Sequence, residues 1–391
     1  MSVRNAILAL TSAILLAGSS ASALELDRVS PETGRPARAA TSELERARTE
    51  ASLSDRMNAH TISVITGTPG GTYFRIGADL AFVLDEEDKL RVLPILGKGA
   101  GTNAYDIRFL KGVDLGFVRT DTLDQLRQDK RLRNIDQHIQ YIAKLFNDEL
   151  HVVAANSVKD VRDLAGKRVT FDVKGSGTDY SGRAMFQGLG VEVEAVNVDQ
   201  AVAFDMLRKG EVQAVVSVAA KPVSVIAAFD PGDQFHFVTL PYPDTMSEAY
   251  VPATLTSADY PKLLKGTETV ETIAVGTVLG VYAHPKGSER FNKIARFVDA
   301  FFSQYDKFLS PQRHPKWREV NLAATVSGWT RFRPAQEWLD KHRGQDVASQ
   351  SDLSHFLAER SSNLPADKEQ VYQAYLKWRQ EHGPSYGLAR R

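Results

Sequence analysis

The chain contains no cysteine. Disulfide staples, zinc–thiolate sites and cysteine nucleophiles are therefore excluded, and so is a lipid anchor on a cysteine near the N-terminus. An excess of charge of one sign is missing too: 48 Lys+Arg balance 48 Asp+Glu, for a formal net charge of zero. Such a chain has no overall field with which to hold a nucleic acid or an anionic membrane. No apolar run reaches the roughly 20 residues that a membrane-spanning helix needs. The nine histidines include no i, i+4 pair and no H-x-E, so metal-ligand spacing is absent. Neither G-x-G-x-x-G nor G-x-x-x-x-G-K-[ST] occurs, which argues against a dehydrogenase or a kinase. No cofactor is expected.

What is present begins with three parts in a telling order. Arg4 gives a positive start, residues 6–17 are almost wholly apolar, and Ala21-Ser22-Ala23 is a small-residue cleavage site. That order reads as a signal peptide over 1–23, cleaved after Ala23. The expected location is the periplasm, with no membrane insertion after cleavage. Residues 24–60 read as a polar linker, too poor in apolar residues to build a core. Within it, 42–57 is either a polar helix or part of a tether.

From Thr61 onward, β-rich runs, glycine loops and helical spacing alternate. Ile62, Val64 and Ile65 precede a GTPGGT turn at 67–72, and Phe74, Ala78, Ala81 and Phe82 then recur at helical spacing. The alternation runs through 61–155 and again through 156–240. It predicts an α/β protein of two lobes, with mainly parallel sheets flanked by helices. The β-prone stretch 272–282 reads as a strand returning beside 150–154, so that two strands form the hinge. Lobe 1 is then discontinuous, 61–155 plus 241–310, and lobe 2 is 156–240. Residues 290–309 read as one long helix. The extension 311–391 holds all four tryptophans and reads as helical, for example over 368–378. It either packs on lobe 1 or offers a partner surface.

Four loops join a strand end to a helix start: 67–72, 97–102, 174–178 and 219–221. Ligands of open α/β sheets bind beyond the carboxyl ends of the strands. Helix N-termini there expose unpaired N–H groups and partial positive charge. Glycine admits close backbone approach, and Ser or Thr adds a hydroxyl donor.

The segments ISVITGTPGGTYFRIG at 62–77, KGVDLGFVRTD at 111–121, and DLAGKRV at 163–169 followed by GSGT at 175–178 resemble the TAXI family. These are the solute receptors of TRAP-type transporters. The resemblance covers about 61–310 and implies the type II periplasmic-binding-protein clamshell. It implies a glutamate-like amino acid or a dicarboxylate as ligand, and membrane subunits of a TRAP transporter as partner. Carried over by residue, it points to Gly71, Thr72, Tyr73, Thr120, Asp121, Ser176, Gly177 and Thr178. Asp121 either pairs with a ligand ammonium or is a charge at a helix N-terminus.

The second loop departs from the family's T-G-G-S-x-x-N. Here Lys98 interrupts the glycines, and Gly101, Thr102 and Asn103 follow. Lys174 precedes the Gly-Ser-Gly loop, Lys221 follows Ala219, and Arg119 precedes Thr120. These cations either favour a more anionic solute, such as a dicarboxylate, or are solvated rim residues. The expected function is capture of a small anionic solute by hinge closure, with no reaction catalysed. The alternatives are a receptor for an ATP-driven importer, a ligand-presenting partner of a sensor kinase, and an enzyme on the same clamshell. His151 reads as a hinge residue rather than a ligand.

Overall fold

The computed structural model describes residues 36–86, 89–127, 129, 134–243, 246, 248–342, 374 and 378. The expected signal peptide, the linker before Pro36 and nearly all of 343–391 lie outside the described residues. The chain divides into a unit of Met1–Ser54 and a unit of Asp55–Arg391. Helix α1, Pro36–Ala59, extends beyond the 42–57 expected for a polar helix. Its Ala, Arg and Glu are strong helix formers, and its side chains over 45–58 are exposed.

In the larger unit the strands join one sheet. β1 (Thr61–Ile65), β2 (Arg91–Ile95) and β3 (Leu115–Arg119) are mutually parallel, in the order β2-β1-β3. β5 (Arg168–Thr170), β6 (Glu194–Val196) and β7 (Ala214–Ala219) repeat that pattern as β6-β5-β7. Two long antiparallel strands, β4 (Ile139–Ala155) and β10 (Thr269–Tyr282), link the two sets. β10 closes the first set against β3, and β4 closes the second against β7. Each lobe therefore has the same order around a shared pair of hinge strands. Short β8 (Phe235–Phe237) pairs with β4, and β9 (Tyr250–Thr256) with β10.

Apolar residues on both faces of these strands are covered, as parallel sheets require. Successive residues of a strand point to opposite faces. So Val64 and Phe117 join one core cluster of lobe 1 while Ile65 and Val118 join the other. In lobe 2, Val152 and Val216 face one cluster while Val153 and Val215 face the other.

Four expectations need correction. The helix after β1, α2 (Thr72–Leu84), buries Tyr73, Ile76, Leu80 and Leu84 rather than the Phe74–Phe82 face. That helix is apolar nearly all round, so periodicity does not choose its inner side. Phe82 lies outside, with the Arg313 guanidinium 3.8 Å from its ring centroid. Second, 246–275 was expected in lobe 1, but Met246, Tyr250, Leu255, Tyr260 and Ile273 pack in the lobe 2 clusters. The pairing of β9 with the first half of β10 holds them there. Third, the helix predicted over 290–309 is α-helical only over Glu289–Ser303, then turns 3-10 over Tyr305–Leu309. The tighter turn brings Tyr305 and Phe308 onto Trp317, with ring centroids 6.4 and 4.4 Å away. Fourth, the described part of the extension is mostly irregular, with a 3-10 turn at Pro315–Glu319 and a helix at Arg333–Lys341. It packs on lobe 1: Trp317, Val320, Leu322, Phe332 and Trp378 are buried in that core. The helix expected over 368–378 lies outside the described residues except at Ala374 and Trp378.

Candidate functional site

The parallel strands of both lobes end toward a common cleft. About 490 Å³ of it is free of protein atoms, and it opens to solvent. From lobe 1, the loop after β1 brings Gly67, Thr68 and Gly71 to the cleft, and α2 starts there with Thr72 and Tyr73. Gly71 is the N-cap and gives no side-chain cap, so the first amides of α2 have no such partner. Lys98 and Gly99 add the loop after β2. Gly99 has φ +85°, a left-handed backbone that a side chain would strain. From lobe 2 come Asp172, Gly177, Thr178, Gln200, Ser217 and Ala219.

The lobes touch through these loops. The Thr72 hydroxyl donates to the Ala220 carbonyl at 2.7 Å. The Gly177 amide donates to the Lys98 carbonyl at 3.2 Å. The Thr102 hydroxyl donates to the Gly175 carbonyl at 2.7 Å. The Thr178 hydroxyl accepts from the Val218 amide at 3.0 Å, squaring the lobe 2 loop against β7.

Of the residues predicted from sequence, Gly71, Thr72, Tyr73, Lys98, Gly177, Thr178 and Ala219 line the cleft. The others do not. Gly101 lies under the Tyr180 ring, where a Cβ would sit 3.1 Å from Cζ. Asn103 is a buried brace: its amide donates to the Thr66 and Phe117 carbonyls at 2.9 and 2.8 Å, and its oxygen accepts from the Gly99 amide. Thr120 is tied by its amide to the Gly276 carbonyl at 2.8 Å. Ser176 accepts from the Asp179 amide at 3.1 Å. Lys174 is exposed at the rim. The Lys221 ammonium turns away to Asp259, 2.9 Å distant. Asp121 is buried outside the cleft lining and accepts from the Tyr250 hydroxyl at 3.0 Å.

The model of the NMT1-like family matches residues 64–327, about two thirds of the chain. The chain belongs to the NMT1-like family. That family is periplasmic-binding-protein-like. Among solved structures, a periplasmic transporter is similar at 16% identity over 78% of this chain and 97% of its own, with a TM-score of 0.43. A TctC solute binding protein from Polaromonas is similar at 14% identity over 82% and 98%, with a TM-score of 0.39. An amino acid ABC transporter substrate-binding protein from Streptococcus pneumoniae, bound to L-arginine, is similar at 11% identity over 69% and 99%, with a TM-score of 0.40.

At the floor of this cleft lies a buried ion pair, in which Arg119, one of the cations flanking the predicted site and no solvated rim residue, meets Asp148, which sequence reasoning missed. Arg119 Nε donates to Asp148 Oδ2 at 2.7 Å, and both side chains are buried. Another guanidinium nitrogen donates to the Val218 carbonyl, across the lobes. Asp148 Oδ2 also accepts from the Tyr73 hydroxyl and, at 3.0 Å, from Thr277. Burial alone would lower the Arg119 pKa, but its anionic and phenolic neighbours Tyr73, Asp148 and Asp121 raise it above its ordinary value. Burial pushes the Tyr73 hydroxyl well up, so it stays a neutral donor. Burial also raises Asp121, against the pull of Arg119. The packing is tight: a Cβ on Gly177 would collide with Arg119 Nη1. The sequence signal for Asp148 is a charge inside an otherwise β-prone run, LFNDELHVVA.

His151 sits in hinge strand β4, fully buried. Burial pulls its pKa down to about 4, so it is neutral at pH 7. The Tyr260 hydroxyl lies 2.7 Å from Nε2 and accepts from the Val223 amide, which leaves its proton for the ring. Nδ1–H then donates to the Ser217 carbonyl at 3.2 Å. That contact goes to the Ser217 backbone and does not activate its hydroxyl. No group of three or more His, Asp or Glu able to hold a metal occurs among the described residues.

Proposed function

We propose that the chain is an extracytoplasmic solute receptor of a TRAP-type secondary transporter. It captures a small carboxylate-bearing solute by hinge closure and presents the closed form to the membrane subunits. No reaction is catalysed. The observation that carries this reading is the cleft itself: loops from two separately cored lobes line it, and among the described strands only β4 and β10 run from one lobe to the other at its base. The cores on either side are apolar. The contacts across the cleft are individual hydrogen bonds, among them the charged one from Arg119 to the Val218 carbonyl, and a solute that bonds to both walls can decide the balance between open and closed lobes.

A solute carboxylate fits the lobe 1 wall. There the uncapped N-terminus of α2 carries partial positive charge, the Thr68 hydroxyl stands beside it, and Lys98 adds a full charge. Membership of a periplasmic-binding-protein-like family supports the reading at its coarser level. Periplasmic release after cleavage at Ala23 belongs to the same proposal. No helix among the described residues is long and apolar enough to cross a membrane.

The test is titration calorimetry with small-angle scattering on the refolded chain, against glutamate, glutamine, 2-oxoglutarate, succinate and fumarate. Micromolar binding with a fall in radius of gyration is expected for at least one compound. Flat titrations and an unchanged radius across the panel would overturn the receptor reading. Uptake into vesicles carrying TRAP membrane subunits then tests the partner, and loss of uptake without this chain is the expected result.

A further inference from the structure

The lobe 2 wall of the cleft differs chemically from the lobe 1 wall. Asp172 lies between β5 and the Gly-Ser-Gly loop, 5% exposed. The Val173 amide and the Ser176 hydroxyl bond to its carboxyl, yet Oδ1 has no partner. Its φ is +60°, a left-handed conformation uncommon for a side-chain-bearing residue. Gln200 lies on the same wall. Its amide nitrogen donates to the Val216 carbonyl at 3.1 Å, which fixes the amide's orientation and leaves buried Oε1 unpartnered. Buried polar atoms without partners are rare in native proteins, and strained backbone concentrates at functional sites. Here both features occur at one residue that faces the cleft.

The charges around the cleft have the same sense. Asp121, Asp148 and Asp172 are buried, and Arg119 is the one buried cation beside them among the described residues. Lys98 is exposed, Lys174 is at the rim and Lys221 is held by Asp259. Burial raises the Asp172 carboxyl to about 6, opposed by its hydrogen bonds and by Arg119. It is thus mostly ionised at pH 7 and lacks a cation of its own.

We propose that Asp172 Oδ1 and Gln200 Oε1 receive a protonated amine of the solute, so that the receptor takes an ammonium-bearing carboxylate and discriminates against dicarboxylates and oxo acids. This rests on the receptor reading above and narrows it. The solute's carboxylate lies toward the α2 N-terminus and its ammonium toward Asp172. The role given to Asp121 by resemblance passes to Asp172. A second carboxylate at this end would meet an unpaired buried carboxylate, and an oxo group would offer no donor to either acceptor.

The test uses matched pairs that differ only at that nitrogen. Calorimetry of the refolded full chain compares glutamate with 2-oxoglutarate, and leucine with 4-methyl-2-oxopentanoate, with glutarate and succinate alongside. A charged hydrogen bond predicts a preference of roughly 10- to 100-fold for the amine in the pair that binds. Asp172→Asn should erase that preference, chiefly by weakening the amino acid. Asp172→Gly is the folding control: glycine accepts φ +60° without strain, so this variant should melt at least as high as the parent and still lose the preference. Tighter binding of an oxo acid or dicarboxylate than of its amine partner overturns this assignment and leaves the receptor standing. An amine preference that survives both variants also overturns it. Silence from every compound overturns the receptor reading, and this assignment with it.

Discussion

Asp148 and Glu149 are neighbours on hinge strand β4 and face opposite sides of it. Asp148 faces the cleft floor, where it meets Arg119, Tyr73 and Thr277. Glu149 faces the other way, where Lys316 of the C-terminal extension forms a buried ion pair with it. Its second oxygen accepts from the Lys221 amide at 2.9 Å. Each side of the strand thus carries one buried pair, but the pairs differ in what happens when they break. A guanidinium stays charged at any ordinary pH. Glu149 can neutralise: burial lifts its carboxyl to about 7 even against the charge of Lys316. The cleft pair is therefore the rigid one, and the pair at the back has an alternative state.

The largest effect should come from breaking the cleft pair. Arg119→Met leaves Asp148 buried without its cation and frees the Val218 carbonyl. Removing one partner of a buried pair costs about 3–5 kcal/mol. The chemical denaturation midpoint should fall accordingly, and combining it with Asp148→Asn should recover part of the loss. Equal stability of parent and Arg119→Met would end the contrast drawn here.

Lys316→Met should cost less, about 2 kcal/mol, because Glu149 can take up a proton rather than stay charged. The same asymmetry sets a pH dependence. The ordinary carboxyl value is 4.5 and the folded value about 7. Between those values the folded chain holds a proton that the unfolded chain has lost. The stability from this group is therefore present below the window and falls as pH rises through it. The stability of the parent relative to Glu149→Gln should decline between about pH 4.5 and 7 and then level off. Denaturant melts at pH 5, 6, 7 and 8 would read this, and a rising difference would show that the sign is wrong.

Much of the frame was legible in the sequence. β1, β3, β7 and β10 announce themselves as β-prone runs with a glycine close to one end. The cleft loops at 67–72 and 174–178 follow from glycine and hydroxyl residues placed between strand and helix. Partnerships were not legible, because they are made across long separations. Lys221 looks like a free cation until Asp259 is seen beside it. Lys316 reads as surface charge until Glu149, 167 positions earlier, is found against it. Asn103 resembles a ligand contact but ties three chain segments together. Asp172 passed unnoticed because neither its burial nor its left-handed backbone leaves a mark in composition.

A finer probe of the cleft side is Gly177→Ala. The new methyl would collide with Arg119 Nη1, and that nitrogen cannot retreat freely because Asp148 and Val218 hold the same guanidinium. Overpacking of this kind costs roughly 1–3 kcal/mol. The collision is made between lobes, since Arg119 ends β3 and Gly177 belongs to the lobe 2 loop. Scattering should therefore show a wider ligand-free molecule, while each lobe keeps its secondary structure by circular dichroism. A clean loss of secondary structure would instead place the contact within a single folding core.

The smallest effect should come from Thr102→Val. Valine keeps the shape and removes one cross-lobe hydrogen bond, from the Thr102 hydroxyl to the Gly175 carbonyl. Both groups are only partly buried, so water can replace the lost partner when the lobes part, and the net cost should be about 1 kcal/mol or less. Because it is one weak bond among several between the lobes, its loss should lower the denaturation midpoint only slightly. It should weaken whichever solute binds by roughly 2- to 5-fold, mainly through faster release. An effect on stability as large as that of Lys316→Met would mean that this loop contact stabilises the fold itself, and the hinge would then have less freedom than two independent cores imply.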